Sequence, residues 1–164
     1  MRGDAREGSG ETVAGSGKTA ESGPPAADSR LPATVLHRAV IPVRWRDLDA
    51  FNHVNNAMFL SYVEEARLLW MRTVEGQGLY PDAAPVVVAT HMNYRRQIEW
   101  PNTLAIELSA ERIGTTSLTV AHRIARADDA SVVYGDGNAV VVWIGGDGRP
   151  VALPTPIRAA AGGG

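Results

Sequence analysis

Residues 44–67 read RWRDLDAFNHVNNAMFLSYVEEAR, and the character of the chain changes in the middle of them. Asp47, Asp49, Asn52, His53, Asn55 and Asn56 crowd into the first half. From Ala57 onward the pattern becomes periodic. Met58/Phe59, Tyr62/Val63, Ala66, Leu69/Trp70 and Thr73/Val74 recur at steps of three and four, which describes a helix with one broad apolar face. Ser61, Glu64, Glu65 and Arg72 fall away from that face. Asn55 or Asn56 is a good N-cap, and Gly76 and Gly78 are expected to end the helix.

Upstream, VLHRAVIPVRWRDLD (35–49) reads as a first strand. Asp47 and Asp49 are two apart, so continued extension would aim both at one side of the sheet. Two such carboxylates repel and raise each other's pKa, so the strand is expected to end there and the acids to diverge. Two readings of the loop stay open: an acid or amide capping the helix, or a catalytic loop. His53, with an unperturbed pKa near 6.5, fits a general base or a turn hydrogen bond.

Downstream, APVVVATHMNYRRQI (84–98), NTLAIELSAERIG (102–114), TSLTVAHRIARA (116–127) and SVVYGDGNAVVVWI (131–144) read as four strands, separated by EWPN, IGTT, ADDA and GGDG turns. Gly135 and Gly137 mark a bulge in the last. One strand, one long helix and an antiparallel meander make an α+β domain in which one amphipathic helix covers one face of a single sheet.

The 164 residues fit one domain. Residues 1–35 are dominated by Gly, Ser, Ala, Glu and Pro and are expected to be a disordered leader. Residues 36–158 form the domain, and 159–164 are expected to be a flexible tail. With 45% apolar and 21% charged residues, the composition is that of an ordinary globular protein. A formal net charge of −2 offers no general attraction for nucleic acid or an anionic membrane, so an anionic ligand needs a local cluster of arginines. The chain has no cysteine, which removes disulfides, thiolate metal sites and cysteine nucleophiles. It has no long apolar run and no secretory signal pattern, and a cytoplasmic location is expected.

Two motifs are decoys. AGSGKTA (14–20) lacks the first glycine of a phosphate-binding loop, where Thr12 stands, and RGD (2–4) lies in the leader. His37, His91 and His122 lack metal-ligand spacing, and no serine-hydrolase elbow occurs. Glu64 and Glu65 are a solvated helix face, with Glu64 able to pair with Arg67, or else alternative catalytic carboxylates at a subunit interface. Arg95 and Arg96, side by side in a strand pattern, are expected to face opposite ways, and both are candidates for holding phosphate.

The run from Trp45 through Asp47, Asp49, Asn52, His53, Val54, Asn55 and Asn56, followed by a long helix carrying EEAR, resembles the signature of the 4-hydroxybenzoyl-CoA thioesterase-like acyl-CoA thioesterases. The resemblance spans about residues 38–155, and Asn52 replaces the usual glycine; asparagine is the next best residue for a left-handed backbone, so the turn is expected to survive. It implies a hotdog fold, an antiparallel sheet of about five strands wrapped around one long central helix. It implies acyl-CoA hydrolysis without a metal or cofactor, with Asp49 as the catalytic carboxylate, the Asn56 backbone amide polarising the carbonyl, and His53 and Asn55 shaping the turn. It also implies a homodimer or homotetramer with acyl-CoA between protomers, the helix face and part of the VVVATHMNY strand lining the acyl tunnel, and Arg95 and Arg96 near the CoA phosphates. The rivals are an acyl-carrier-protein thioesterase and a non-catalytic acyl-CoA-binding protein.

Overall fold

The computed structural model describes residues 34–78 and 80–163. The expected leader and both decoy motifs lie outside the described residues, except that Thr34 and Val35 open the first strand. The elements in chain order are β1 (Thr34–Pro42), α1 (Asn56–Met71), β2 (Ala84–Tyr94), β3 (Thr103–Ile113), β4 (Ser117–Arg126), β5 (Val133–Ile144) and α2 (Thr155–Ala160). The strands form one antiparallel sheet in the order β1-β3-β4-β5-β2, consistent with a thioesterase hotdog fold.

The first strand stops at Pro42, seven residues short of Asp49. Proline has no N–H for the ladder, and the chain then tightens into a 3₁₀ turn at Trp45–Asp47, with the Asp47 N–H on the Arg44 carbonyl at 3.0 Å. The two aspartates therefore part company, as expected. Asp47 is 3% exposed, while Asp49 lies in the loop beyond the turn.

α1 presents Phe59, Tyr62, Val63, Ala66, Trp70 and Met71 to the interior. These join Ile41 of β1, Leu104, Ile106 and Leu108 of β3, and Leu118, Val120 and Ile124 of β4 in one core. Each large aliphatic side chain so buried contributes about 1.5–3 kcal/mol. The helix ends at Met71, ahead of the expected glycine stop. The Thr73 hydroxyl takes the Trp70 carbonyl at 2.6 Å, one turn before Gly76, which sits in a separate turn at φ 76°.

A short helix, α2, follows the last strand. Residues 155–160 are helical, Ile157 and Ala161 are buried, and Arg158 donates to the Gly114 carbonyl at 2.8 Å. The bulge expected near Gly135 falls at Tyr134, where the β4–β5 register shifts. β2 is an edge strand, with Val86, Val87 and Val88 exposed. No helix among the described residues is long and apolar enough to cross a membrane.

Candidate active site

The loop between the 3₁₀ turn and α1 is fixed from both ends. The Asn55 N–H donates to the Asp47 carbonyl at 2.9 Å, and the Asp49 N–H donates to the His53 carbonyl at 2.7 Å. Asn52 turns the chain at φ 62°, the left-handed region that asparagine tolerates where glycine is absent. The loop then pairs with the segment after β2: the Val54 N–H reaches the Ile98 carbonyl at 2.8 Å, and His53 bridges to Glu99.

Asp47 anchors this arrangement from below. Its Oδ2 accepts from the Tyr62 hydroxyl at 2.6 Å and from Arg44 Nε at 2.7 Å, and Arg44 also reaches Glu65 at 3.1 Å. Burial alone would raise the Asp47 pKa, but the Tyr62 hydroxyl and the Arg44 guanidinium outweigh it and hold the carboxyl below its usual range. The same burial and the Asp47 bond push the Tyr62 phenol up. Asp47 and Glu65 are thus structural partners, and Glu64 is exposed with no ion pair to Arg67.

Asp49 faces the other way. Its Oδ1 accepts the N–H groups of Phe51 at 2.8 Å and His53 at 3.2 Å, while Oδ2 has no partner among the described residues. The Asn55 side chain caps α1 by accepting the Ala57 N–H at 2.9 Å. The Asn56 N–H is left without an acceptor among the described residues, at the positive end of the helix dipole.

Asp49, His53 and Asn56 line one cavity of about 770 Å³, together with Arg95, Arg96 and Gln97. Asn55 does not. Phe51, Val54, Phe59 and Tyr94 form its apolar wall, with Phe59 and Tyr94 edge to face at 5.1 Å. The Tyr94 hydroxyl also donates to the Asn56 carbonyl at 3.3 Å. Gln97 escaped the sequence reading because nothing local marks it; it meets Asp49 only through the pairing of β2 with β5 and the Val54–Ile98 contact, whereas Phe51 is tied to Asp49 directly and Tyr94 ends the strand expected to line the tunnel.

Arg95 and Arg96 do not face opposite ways. They follow the end of β2, and both donate backbone N–H to the Tyr134 carbonyl across the bulge, so both reach the cavity. Arg95 is bound through Nε and a terminal nitrogen to Asp136, and these bonds raise its pKa. The Arg96 guanidinium has no ion pair among the described residues.

A second cavity of about 870 Å³ lies beyond Gln97, lined in part by Trp100, Asn102, Arg126 and Tyr134. Arg126 is neutralised there by Asp128 and Asp129, and no helix N-terminus lines the cavity. Among the described residues no cluster of His, Asp or Glu is arranged to hold a metal.

The five-stranded antiparallel sheet and the long helix go with similarity to known thioesterases, and that similarity places the molecule in the class of thioester hydrolases. The chain belongs to the thioesterase-like superfamily, whose model matches residues 43–161. It is similar to the solved structure of XC229 from Xanthomonas campestris, provisionally named an acyl-CoA thioesterase: 49% identity, TM-score 0.68, 73% of this chain and 100% of that one. It is also similar to a thioesterase from Thermus thermophilus solved with coenzyme A and zinc, at 31% identity and TM-score 0.65, covering 79% of this chain and 98% of that one. YsmA of Bacillus subtilis is 28% identical over 80 residues, 49% of this chain, and the match spans about half (54%) of YsmA.

Proposed function

We propose that the protein hydrolyses an acyl-CoA thioester to a carboxylic acid and CoA, with Asp49 as nucleophile or general base and the Asn56 N–H as oxyanion donor. The observation that carries this is the pairing on one cavity of an unpartnered carboxylate oxygen with an unpartnered helix N-terminal amide. When the thioester carbonyl is attacked, its oxygen gains negative charge. A fixed N–H aimed at that oxygen is worth about 3–4 kcal/mol in comparable sites. The carboxylate either attacks the carbonyl carbon, giving an anhydride that water then cleaves, or takes a proton from the attacking water. In both routes the C–S bond breaks to a thiolate, which leaves readily because thiols have pKa values near 8.5.

His53 and Asn55 hold the turn and the cap. Arg96, on the cavity rim, meets a CoA phosphate, while Arg95 keeps Asp136 in place. A coenzyme A complex of the Thermus thermophilus relative supports this choice of carrier. The open apolar edge of β2 supports a homodimer or homotetramer, since an unpaired edge with exposed Val86, Val87 and Val88 is a template for a second copy. In that assembly the sheet wraps around α1 as the hotdog arrangement requires. The cysteine-free composition supports a cytoplasmic location. The test is thiol release from short, medium, long and aromatic acyl-CoAs against the matching acyl-carrier-protein thioesters. Saturable acyl-CoA binding with no thiol release would instead mark a non-catalytic binder.

A further inference from the structure

The cavity that holds Asp49 has two unlike sides. Arg95, Arg96 and Gln97 make a polar rim, whereas Phe51, Val54, Phe59 and Tyr94 are apolar or aromatic. A thioester with its carbonyl oxygen on the Asn56 N–H therefore turns its CoA toward the rim and its acyl group toward the apolar side. What stands behind that side decides how long the acyl group can be.

Phe59 is 2% exposed and is held from three directions. A side chain at Gly135 of β5 would stand 3.6 Å from the Phe59 ring and 3.3 Å from the Met92 sulfur, so the ring lies over the β5 backbone with Met92 beside it. Tyr94 meets the ring edge to face at 5.1 Å, and its hydroxyl is tied to the Asn56 carbonyl at 3.3 Å. Beyond Phe59, the inward residues Tyr62, Val63, Ala66 and Trp70 belong to the packed core. Of α1, only the first turn, through Asn56 and Phe59, lines the cavity. A core packed at ordinary protein density has no room for an acyl chain to continue along the helix.

The helix also sets the distance. Residues three apart share a face, with Cβ atoms about 5–6 Å from one another, and the Phe59 side chain leans back toward the helix N-terminus. The ring thus stands across the path about 5–6 Å from the oxyanion donor. At about 1.5 Å per carbon–carbon bond, that distance admits an acyl group of about four to six carbons. A longer chain has to leave between Phe51 and Tyr94, which are 80% and 47% exposed, and so gives up the burial that would favour it.

We propose that Phe59, backed by Gly135 and braced by Tyr94, is the end wall of the acyl site, so that the preferred substrates are short-chain acyl-CoA thioesters of about six carbons or fewer. The inference rests on the thioesterase reading, which sets where the carbonyl and the acyl group lie. The wall acts by volume: a methylene that fits gains burial, and one too many has to displace a packed ring.

The experiment measures thiol release from straight-chain saturated acyl-CoAs, acetyl to tetradecanoyl, by the wild type, Phe59→Leu and Phe59→Ala, with melting temperatures alongside. For the wild type, kcat/KM is expected to peak at about six carbons or fewer and to fall about 10-fold or more by ten carbons. Phe59→Ala is expected to move the peak about two to four carbons longer, and Phe59→Leu to raise the ratio of long to short substrates in the same direction by a smaller step. Phe59→Leu keeps most of the packing and carries the test if Phe59→Ala does not fold. General damage to the fold lowers every rate together and leaves that ratio unmoved. A wild-type peak at ten carbons or more, or no dependence on length, overturns the inference and leaves the thioesterase reading intact. So does an unchanged length profile in folded Phe59→Leu. If the wild type cleaves no thioester of the series, the thioesterase reading itself fails, and the end wall falls with it.

Discussion

The Tyr62 hydroxyl donates to Asp47 at 2.6 Å, joining the second turn of α1 to the residue from which the Asp49 loop departs. Because the Asp47 carbonyl also accepts the Asn55 N–H, this one buried acid sets where the loop begins and where the helix starts. Asp47→Ala is expected to cost about 3 kcal/mol, since it leaves Tyr62 and Arg44 without their acceptor. Tyr62→Phe, which deletes one bond, is expected to cost about 1–2 kcal/mol. Urea unfolding of both variants checks the order.

Two buried groups contribute to the pH dependence of stability in different windows. Asp47 has a lowered folded pKa, so its contribution is full above the unfolded value of 3.8 and is lost as pH falls below it. His122 acts earlier. Burial, and then the Arg67 charge, lower its pKa from 6.5 to about 4. Between those values the unfolded chain binds a proton that the folded chain refuses, so stability falls with acid by about 3 kcal/mol and levels off below about pH 4. His122→Asn removes the slope between pH 6.5 and 4 and keeps the later one. Denaturation midpoints at pH 7, 5.5 and 4 separate the two.

Gly137 allows the β2 backbone to come close over β5, and a Cβ there would run into the His91 carbonyl. Gly137→Ala is expected to cost about 2 kcal/mol or more, through displacement of β2. Gly146→Ala, where the space is open, is the control and is expected to change stability by under about 0.5 kcal/mol. Thermal melts of the pair decide.

The helix N-terminal amide is testable by itself. Asn56 is the first residue of α1, and Asn55 before it lies at φ −57°, ψ 138°, a conformation compatible with a following proline. Asn56→Pro therefore deletes the N–H with the helix retained. The expectation is a fall in kcat of about 10²-fold or more with an unchanged far-UV spectrum. Unaltered turnover would remove Asn56 from the mechanism.

The order of elements, the helix face, the parting of Asp47 from Asp49 and the left-handed turn at Asn52 were legible in the sequence, because each depends on near neighbours along the chain. The early end of β1 depended on Pro42 and the 3₁₀ turn, which an alternating pattern running through Val43 and Trp45 disguised. Gln97 was hidden because the strand order β1-β3-β4-β5-β2 brings β2 beside the last strand rather than beside its sequence neighbour β3. That order is set by long-range packing. The bulge at Tyr134 likewise turned Arg95 and Arg96 to the same cavity, which strand alternation alone would have forbidden.

The central claim is that the Asp49 carboxylate does the chemistry, and Asp49→Asn tests it most directly. Asparagine keeps an oxygen for the Phe51 and His53 N–H groups, so the loop is expected to keep its shape while the charge is lost. Steady-state thiol release from the best acyl-CoA substrate is predicted to show kcat reduced by about 10²-fold or more with an unchanged melting temperature. Full wild-type turnover by Asp49→Asn would contradict the account.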